Sequence, residues 1–457
     1  MSRPPAVDPP LASSSSTPPP PSTLLRGSLM RFASDGSGVL LGMISTIVTA
    51  RVLGPAGRGT LAALTFVTLL VAQCSTLGLG DAAVVRIGQA KASVQEALSS
   101  SLVAVILAAL AGVVVVLAYS VAQLPLGDAG MPAAVAVGCA TVVVAAVGQL
   151  LLFVVYATQR VVAVSVLTII MSATAAIGVV VFCAVLDLDV LGGALAGLVA
   201  AAVGFAAAAA MLWRARLRPR LHATPGYLRP ALHYGVRTQL ANVLAYSSAR
   251  LDLLFVYALA SQAEAGIYSV ALTLGTITGF VAIGLSFASF PRMARMTDRD
   301  ALDLTAQMAR IAVILGVALA AILAAALSTL IAVLLGHDYD DVLAPGIVLL
   351  VGNVLWGGQW LLSRALASRG DPSLLVRSFS LNLATMAVAD ILLVPVAGAV
   401  GAAVGALIAA AAGLALCLKA YRERGVPASA FIPRRADVLR LWSIAQRLAA
   451  RLRAGTR

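Results

Sequence analysis

From about Met30 onward the chain is a close succession of apolar stretches, each near the twenty residues that an α-helix needs to cross a bilayer. Backbone in lipid must satisfy its hydrogen bonds internally, so repeated stretches of this length read as a bundle of helices. Twelve can be placed, near 30–53, 59–79, 97–121, 131–157, 161–186, 190–213, 232–259, 265–289, 305–335, 343–367, 374–395 and 398–420. A soluble alternative has nowhere to put its surface. The chain is 60% apolar and only 11% charged, whereas soluble domains are about a quarter charged. The expected fold class is therefore an all-α polytopic membrane protein with about 12 transmembrane helices.

The connections give the topology. With the amino terminus inside, the inner ones hold Arg86 and Lys91, Arg160, a cluster from Arg214 to Arg229, Arg292, Arg295 and Arg299, and Arg369; basic residues continue in the carboxyl tail. The outer ones hold Arg51 and Arg58, then mostly acids: Asp128, Asp187, Asp189, Glu264, Asp338, Asp340 and Asp341. The positive-inside rule expects this asymmetry when both termini are cytoplasmic. It also accounts for the formal net charge of +13 without a nucleic-acid partner.

The basic cluster divides the chain into two related halves. "QLLLFVVYATQR" from Gln149 corresponds to "QWLLSRALASRG" from Gln359, and "GALAG" from Gly193 to "GAAVG" from Gly401. Six helices per half give both halves one orientation, hence two parallel six-helix repeats, and transporters of this build place their site between the repeats. The expected segments are a Pro/Ser-rich disordered tail (1–25), a first half (26–213), a basic linker (214–231), a second half (232–421) and a basic tail (422–457). In that tail Val438, Leu441, Trp442, Ala445, Leu448 and Leu452 recur at helical spacing, with Arg440, Arg447 and Arg451 elsewhere around the helix. Such a helix lies on an anionic inner leaflet.

The chemistry of common enzymes is missing. Neither lysine, Lys91 or Lys419, follows the glycine that a phosphate-binding loop requires. The four cysteines sit singly in apolar stretches and the three histidines form no metal-ligand pattern. The outer connections are too short for a polymerase's acceptor site. No enzyme activity, cofactor or metal is expected.

What stands out is polar residues inside helices, where a charge costs about 2.5–3.5 kcal/mol at the helix centre. On the seventh predicted helix Thr238, Asn242, Tyr246 and Arg250 recur every fourth residue, forming one stripe flanked by Arg237 and Gln239. A stripe of this kind faces a hydrated cavity between the halves or bonds to neighbouring helices. Asp252 points elsewhere on the same helix. Arg31 and Asp35 lie one turn apart on the first helix; Gln359 and Arg364 lie on the tenth and Asp390 on the eleventh. Arginine outnumbers acid among these candidates, and its planar fork suits phosphate.

The segments "ARVLGPAGRG" (50–59), "RLDLLFVYALASQAEAGIYSVAL" (250–272), "FPRMAR" (290–295), "LLGHDYDDVLAPGIVLL" (334–350) and "LLVPVAGAVGAAVGALIA" (392–409) together resemble the Wzx-type polysaccharide flippases of the multidrug/oligosaccharidyl-lipid/polysaccharide (MOP) exporter superfamily. Arg58 replaces an aromatic common in that family, and Asp390 an amide. The resemblance implies a MATE-like fold and movement of a polyprenyl-diphosphate-linked oligosaccharide from the inner to the outer leaflet of a bacterial cytoplasmic membrane. Membrane lipids, polysaccharide polymerases and glycosyltransferases are then the candidate partners. Three other readings stay open: a cation-coupled drug exporter of the same superfamily, which would use Asp35, Asp252 and Asp390; a non-transporting scaffold of a polysaccharide assembly complex, which would use the tail; and a lipid-linked peptidoglycan-precursor flippase, a branch that usually resembles a longer fourteen-helix chain.

Overall fold

A computed structural model describes residues 21–158, 161–217, 225–293, 296–367, 373–439, 443 and 446. Of the sequence-based expectations, most of the Pro/Ser-rich tail, Arg160, part of the basic linker, Arg295, Arg369 and most of the tail helix beyond Leu439 lie outside these residues.

The described chain is helical, in the order α1 (Pro21–Ser75), α2 (Leu79–Gly88), α3 (Val94–Gln123), α4 (Met131–Ala157), α5 (Val161–Val179), α6 (Asp189–Arg214), α7 (Pro225–Ser247), α8 (Asp252–Leu259), α9 (Gln262–Met293), α10 (Asp298–Leu334), α11 (Leu343–Ala367) and α12 (Ser373–Glu423). Two of these, α1 and α12, fold back on themselves. In α1 the reversal is at Gly54, whose φ of 66° is left-handed and cheap only for glycine, followed by Pro55. Arg58 Nη2 donates to Thr46 Oγ1 at 3.3 Å. Twelve residues of straight helix would separate their Cα atoms by about 18 Å, so the two arms of α1 run side by side. In α12 the reversal is at Gly398 (φ 51°). There Glu264 accepts from Ala399 N at 2.8 Å and so caps the second arm.

Among the described residues nine helical spans are long and apolar enough to cross a membrane. Each of the two reversals splits one span into two, and α7 with α8 supplies a more polar crossing, so the bundle makes twelve passes in two six-pass repeats. We call "inner" the face bearing the α2–α3, α4–α5 and α6–α7 connections. Gln149 and Gln359 occupy α4 and α11, and Gly193 and Gly401 occupy α6 and the second arm of α12, which are equivalent places in the two repeats.

Three expectations are corrected. Arg51 and Arg58 are not loop residues, because the Gly54–Pro55 reversal leaves no loop; both are helical. The predicted helix 59–79 begins at Pro55 and, after a break at 76–78, continues as α2 to Gly88. The predicted span 232–259 is two helices joined by a tightened turn, with Arg250 N donating to Ser247 O and Leu253 N to Arg250 O.

Packing differs between the faces. On the outer side one apolar core runs through both halves, from Ala50, Leu64 and Phe66 of α1 through Tyr268 of α9 to Leu327, Leu349 and Ala402. Arg51 seals its edge: its Nε donates to Leu334 O at 2.6 Å, capping the end of α10. Tyr339 adds a bond to Ala50 O at 3.1 Å. On the inner side the first half has its own core, and Tyr227 and Ala231 of α7 are buried in it. The chain after α12 straps the second half: Phe431 packs edge-on against Tyr421, and Arg310 of α10 pairs with Asp437 at 2.7 Å.

Candidate substrate cleft between the halves

The polar stripe of α7 faces α1 and α2, which belong to the other half. Asn242 Nδ2 donates to Asp81 Oδ2 of α2 at 3.1 Å. Tyr246 stacks on Phe66 of α1, ring centroids 5.6 Å apart. Arg250 stands exposed at the turn between α7 and α8. Thr238 is half-buried and bonds back to Tyr234 O of its own helix. Arg237 is exposed, while Gln239 is buried and reaches the first half through Thr76, whose hydroxyl donates to Gln239 Oε1 at 3.3 Å.

Arg58 joins this group from the opposite half, in the first turn after the Gly54–Pro55 reversal. Besides its bond to Thr46, its Nε is buried with no hydrogen-bond partner among the described residues. Arg58 and Arg250 are close enough for their charges to repel. Arg250 in turn attracts Asp252. Two guanidiniums from opposite halves thus lie within reach of each other's charge, Arg58 half-buried with an unused donor and Arg250 exposed. Such a pair suits an anion that offers several oxygens.

The remaining candidates lie apart from this pair. Arg364, on α11, stacks over Trp360 at 4.3 Å and attracts Asp81 across the boundary between the halves. Gln359 is sealed inside the second half, accepting from Asn382 at 3.0 Å and packed on Gly413. Asp252 and Asp390 are both buried there too. Asp252 accepts from Leu253 N at 2.9 Å and from the Tyr268 hydroxyl. Both oxygens of Asp390 are buried without a partner among the described residues, and its charge and that of Asp252 repel. Two carboxylates so placed are costly in apolar surroundings unless something positive joins them. Asp35 is half-buried on the first arm of α1; Arg31 is on the same arm, its side chain outside what the structure describes. Among the described residues no His, Cys, Asp and Glu gather in a metal-holding group of three.

The family model described as "Polysaccharide biosynthesis protein" matches residues 48–344, well over half of the chain. No curated protein sequence matches it. Among solved structures, the lipid II flippase MurJ in an inward closed conformation is similar with a TM-score of 0.73 at 12% identity, covering 86% of this chain and 87% of that one. A Vibrio cholerae MATE transporter in its bent form gives 0.57 at 18% identity, over 88% and 98% of the two chains. A MOP superfamily transporter from Pyrococcus furiosus gives 0.58 at 15%, over 88% and 95%. At these identities the likeness is one of fold.

Proposed function

Because the chain belongs to the polysaccharide biosynthesis protein family and has the MOP fold, we propose that it flips a polyprenyl-diphosphate-linked oligosaccharide from the inner to the outer leaflet of a bacterial cytoplasmic membrane, with both termini cytoplasmic. The observation that carries this reading is the convergence of Arg58 and Arg250 from opposite halves, with a free donor on Arg58. The diphosphate bridges the two guanidiniums while the sugar lies in the cleft and the polyprenyl chain stays in lipid. Rocking of one half against the other then carries the headgroup across, without catalysis of any bond. The Asp252–Asp390 pair favours a second feature, coupling to a proton or another cation, which the drug-exporter reading shares.

The test is leaflet accessibility of a labelled polyprenyl-diphosphate sugar in proteoliposomes. Replacing Arg58 or Arg250 by Gln removes a charge-assisted contact of about 1.5–3 kcal/mol, so flipping falls roughly tenfold or more in either variant. Asp390→Asn slows flipping only when an ion gradient drives it. Wild-type rates in both arginine variants, with Asp390→Asn abolishing cation-driven drug efflux, overturn the flippase reading in favour of drug export.

A further inference from the structure

The inner face is held shut by a small set of contacts between the halves, and one of them is ionic. Where α1 gives way to α2, Leu77 and Gly78 both take left-handed φ, 51° and 65°. This brings the backbone against α7: a Cβ on Gly78 would lie 2.0 Å from Gly235 O, and a Cβ on Gly235 would lie 2.6 Å from Leu77 O. Around this backbone contact stand the Thr76–Gln239 bond and, towards the inner surface, Arg86 over the Tyr227 ring at 5.1 Å. Asn242 holds Asp81. Arg364 of the second half attracts the same carboxylate, and its Nε is buried with no hydrogen-bond partner among the described residues.

We propose that Asp81, Asn242 and Arg364 form an inner-face latch that a phosphate-bearing headgroup releases by taking Arg364 from Asp81. This rests on the flippase reading and deepens it. A carboxylate near the inner end of an anion's route is otherwise out of place, since it repels the cargo. Set against Arg364 it becomes a stand-in for that cargo. The guanidinium, oriented by Trp360 and with a spare donor, binds a phosphate oxygen better than it binds a carboxylate it does not touch. The arriving phosphate neutralises Arg364 and repels Asp81, so the attraction between α2 and α11 becomes a repulsion. The hydrogen bonds of Thr76 and Asn242, the Arg86–Tyr227 contact, the packing of Tyr227 and Ala231 and the Gly78–Gly235 contact then oppose opening without the Arg364 attraction. Arg364 thus acts as the first contact of the headgroup, ahead of Arg58 and Arg250, and selects for phosphate.

The experiment measures the distance between the halves at the inner face by pulsed electron resonance on reconstituted protein. Spin labels are placed at Gln89→Cys and Glu423→Cys, both exposed positions, after Cys74, Cys139, Cys183 and Cys417 are replaced. Farnesyl diphosphate is the probe and farnesol the uncharged control. In wild type the diphosphate, but not farnesol, should raise the long-distance population several-fold. Asp81→Asn keeps an acceptor for Asn242 but removes the charge, so the long-distance population should rise roughly fivefold without any ligand. Arg364→Gln should abolish the response to diphosphate, and Arg364→Lys should keep part of it. The latch is overturned if Asp81→Asn matches unliganded wild type, or if Arg364→Gln responds as wild type does. A short-distance population in each variant verifies the fold. A gate that answers diphosphate in a protein that flips no lipid-linked sugar would retain the latch and remove the cargo reading. Flipping without any gate response would do the reverse.

Discussion

A single methyl group at Gly59 should force the outer face apart. Gly59 lies one turn into the second arm of α1 and packs against α9 of the other half. A Cβ there would lie 1.9 Å from Gln262 O and 2.8 Å from Gly266 N. An ordinary contact needs about 3.4 Å or more, so the two helices must separate by roughly 1.5 Å. The obstacles are backbone atoms, which cannot rotate aside. Gly266 offers no relief, because it is pressed equally hard against Pro55 O. Overpacking of a tight seam costs about 1–3 kcal/mol, and here the strain exists only while the outer face is closed. Gly59→Ala should therefore shift the balance towards outward-open forms by roughly 5- to 150-fold. The assay is the distance distribution between spin labels at Gln123→Cys and Asp341→Cys, both exposed on the outer face. Gly197→Ala, whose new Cβ meets nothing within 4 Å, is the neutral control. If Gly59→Ala is folded and its outer distances match those of Gly197→Ala, the seam is not a gate.

Two further outcomes follow from the second half. Arg310, hydrogen-bonded to Asp437, holds that carboxyl below the ordinary carboxylate range. A depressed carboxyl stabilises the docked tail at and above its usual pKa of about 3.9 and loses that contribution as pH falls further. Docking should therefore be intact at neutral pH, whereas Asp437→Asn should speed proteolysis after Arg434 and Arg435 roughly fivefold, from a loss of about 1 kcal/mol. Gln359→Leu should lower thermal stability in detergent by about 1 kcal/mol, since it leaves Asn382 without its acceptor. Adding Asn382→Leu should restore most of that loss, and flipping per folded molecule should be unchanged in both.

The bundle was legible because lipid sets one length for every pass; the predicted spans 131–157 and 343–367 coincide with α4 and α11. The seams between passes were harder to read. Arg58 looked like a loop charge because a zero-residue reversal is rare, yet "LGPAGRG" held the signal. A glycine before a proline marks a reversal, which puts a residue three places past the proline in the first turn of the next helix. The stripe on α7 followed from period alone, but its partners Asp81 and Phe66 lie about 160 and 180 residues earlier in the chain, beyond the reach of local pattern. The break at 76–78 carried no composition shift. What marks it is tertiary: at the break the backbone at Leu77 and Gly78 packs directly against Gly235 of α7.

The two faces are closed by different chemistry, and the difference sets a direction. The outer seam is mainly apolar packing and backbone contact, edged by Arg51 and Tyr339 bonding to backbone carbonyls across it, and its apolar part does not respond to the charge of an approaching molecule. The inner seam combines backbone and apolar contact with hydrogen bonds, the Arg86–Tyr227 contact and the Asp81–Arg364 attraction, and it is the last of these that a charged headgroup would compete for under the proposed latch. On the proposed function, an anion arriving from the inner leaflet would meet the seam it is able to open. Its exit needs the apolar seam to part, and there the membrane potential acts: an interior-negative membrane favours outward movement by about 2.3 kcal/mol per charge per 100 mV. That is comparable with the strain assigned to a methyl group at Gly59. The two should substitute for each other, so Gly59→Ala should accelerate outward flipping at zero potential and lose its advantage as an interior-negative potential is imposed. An advantage that stays constant across potentials would mean that parting of the outer seam is not the step the potential drives.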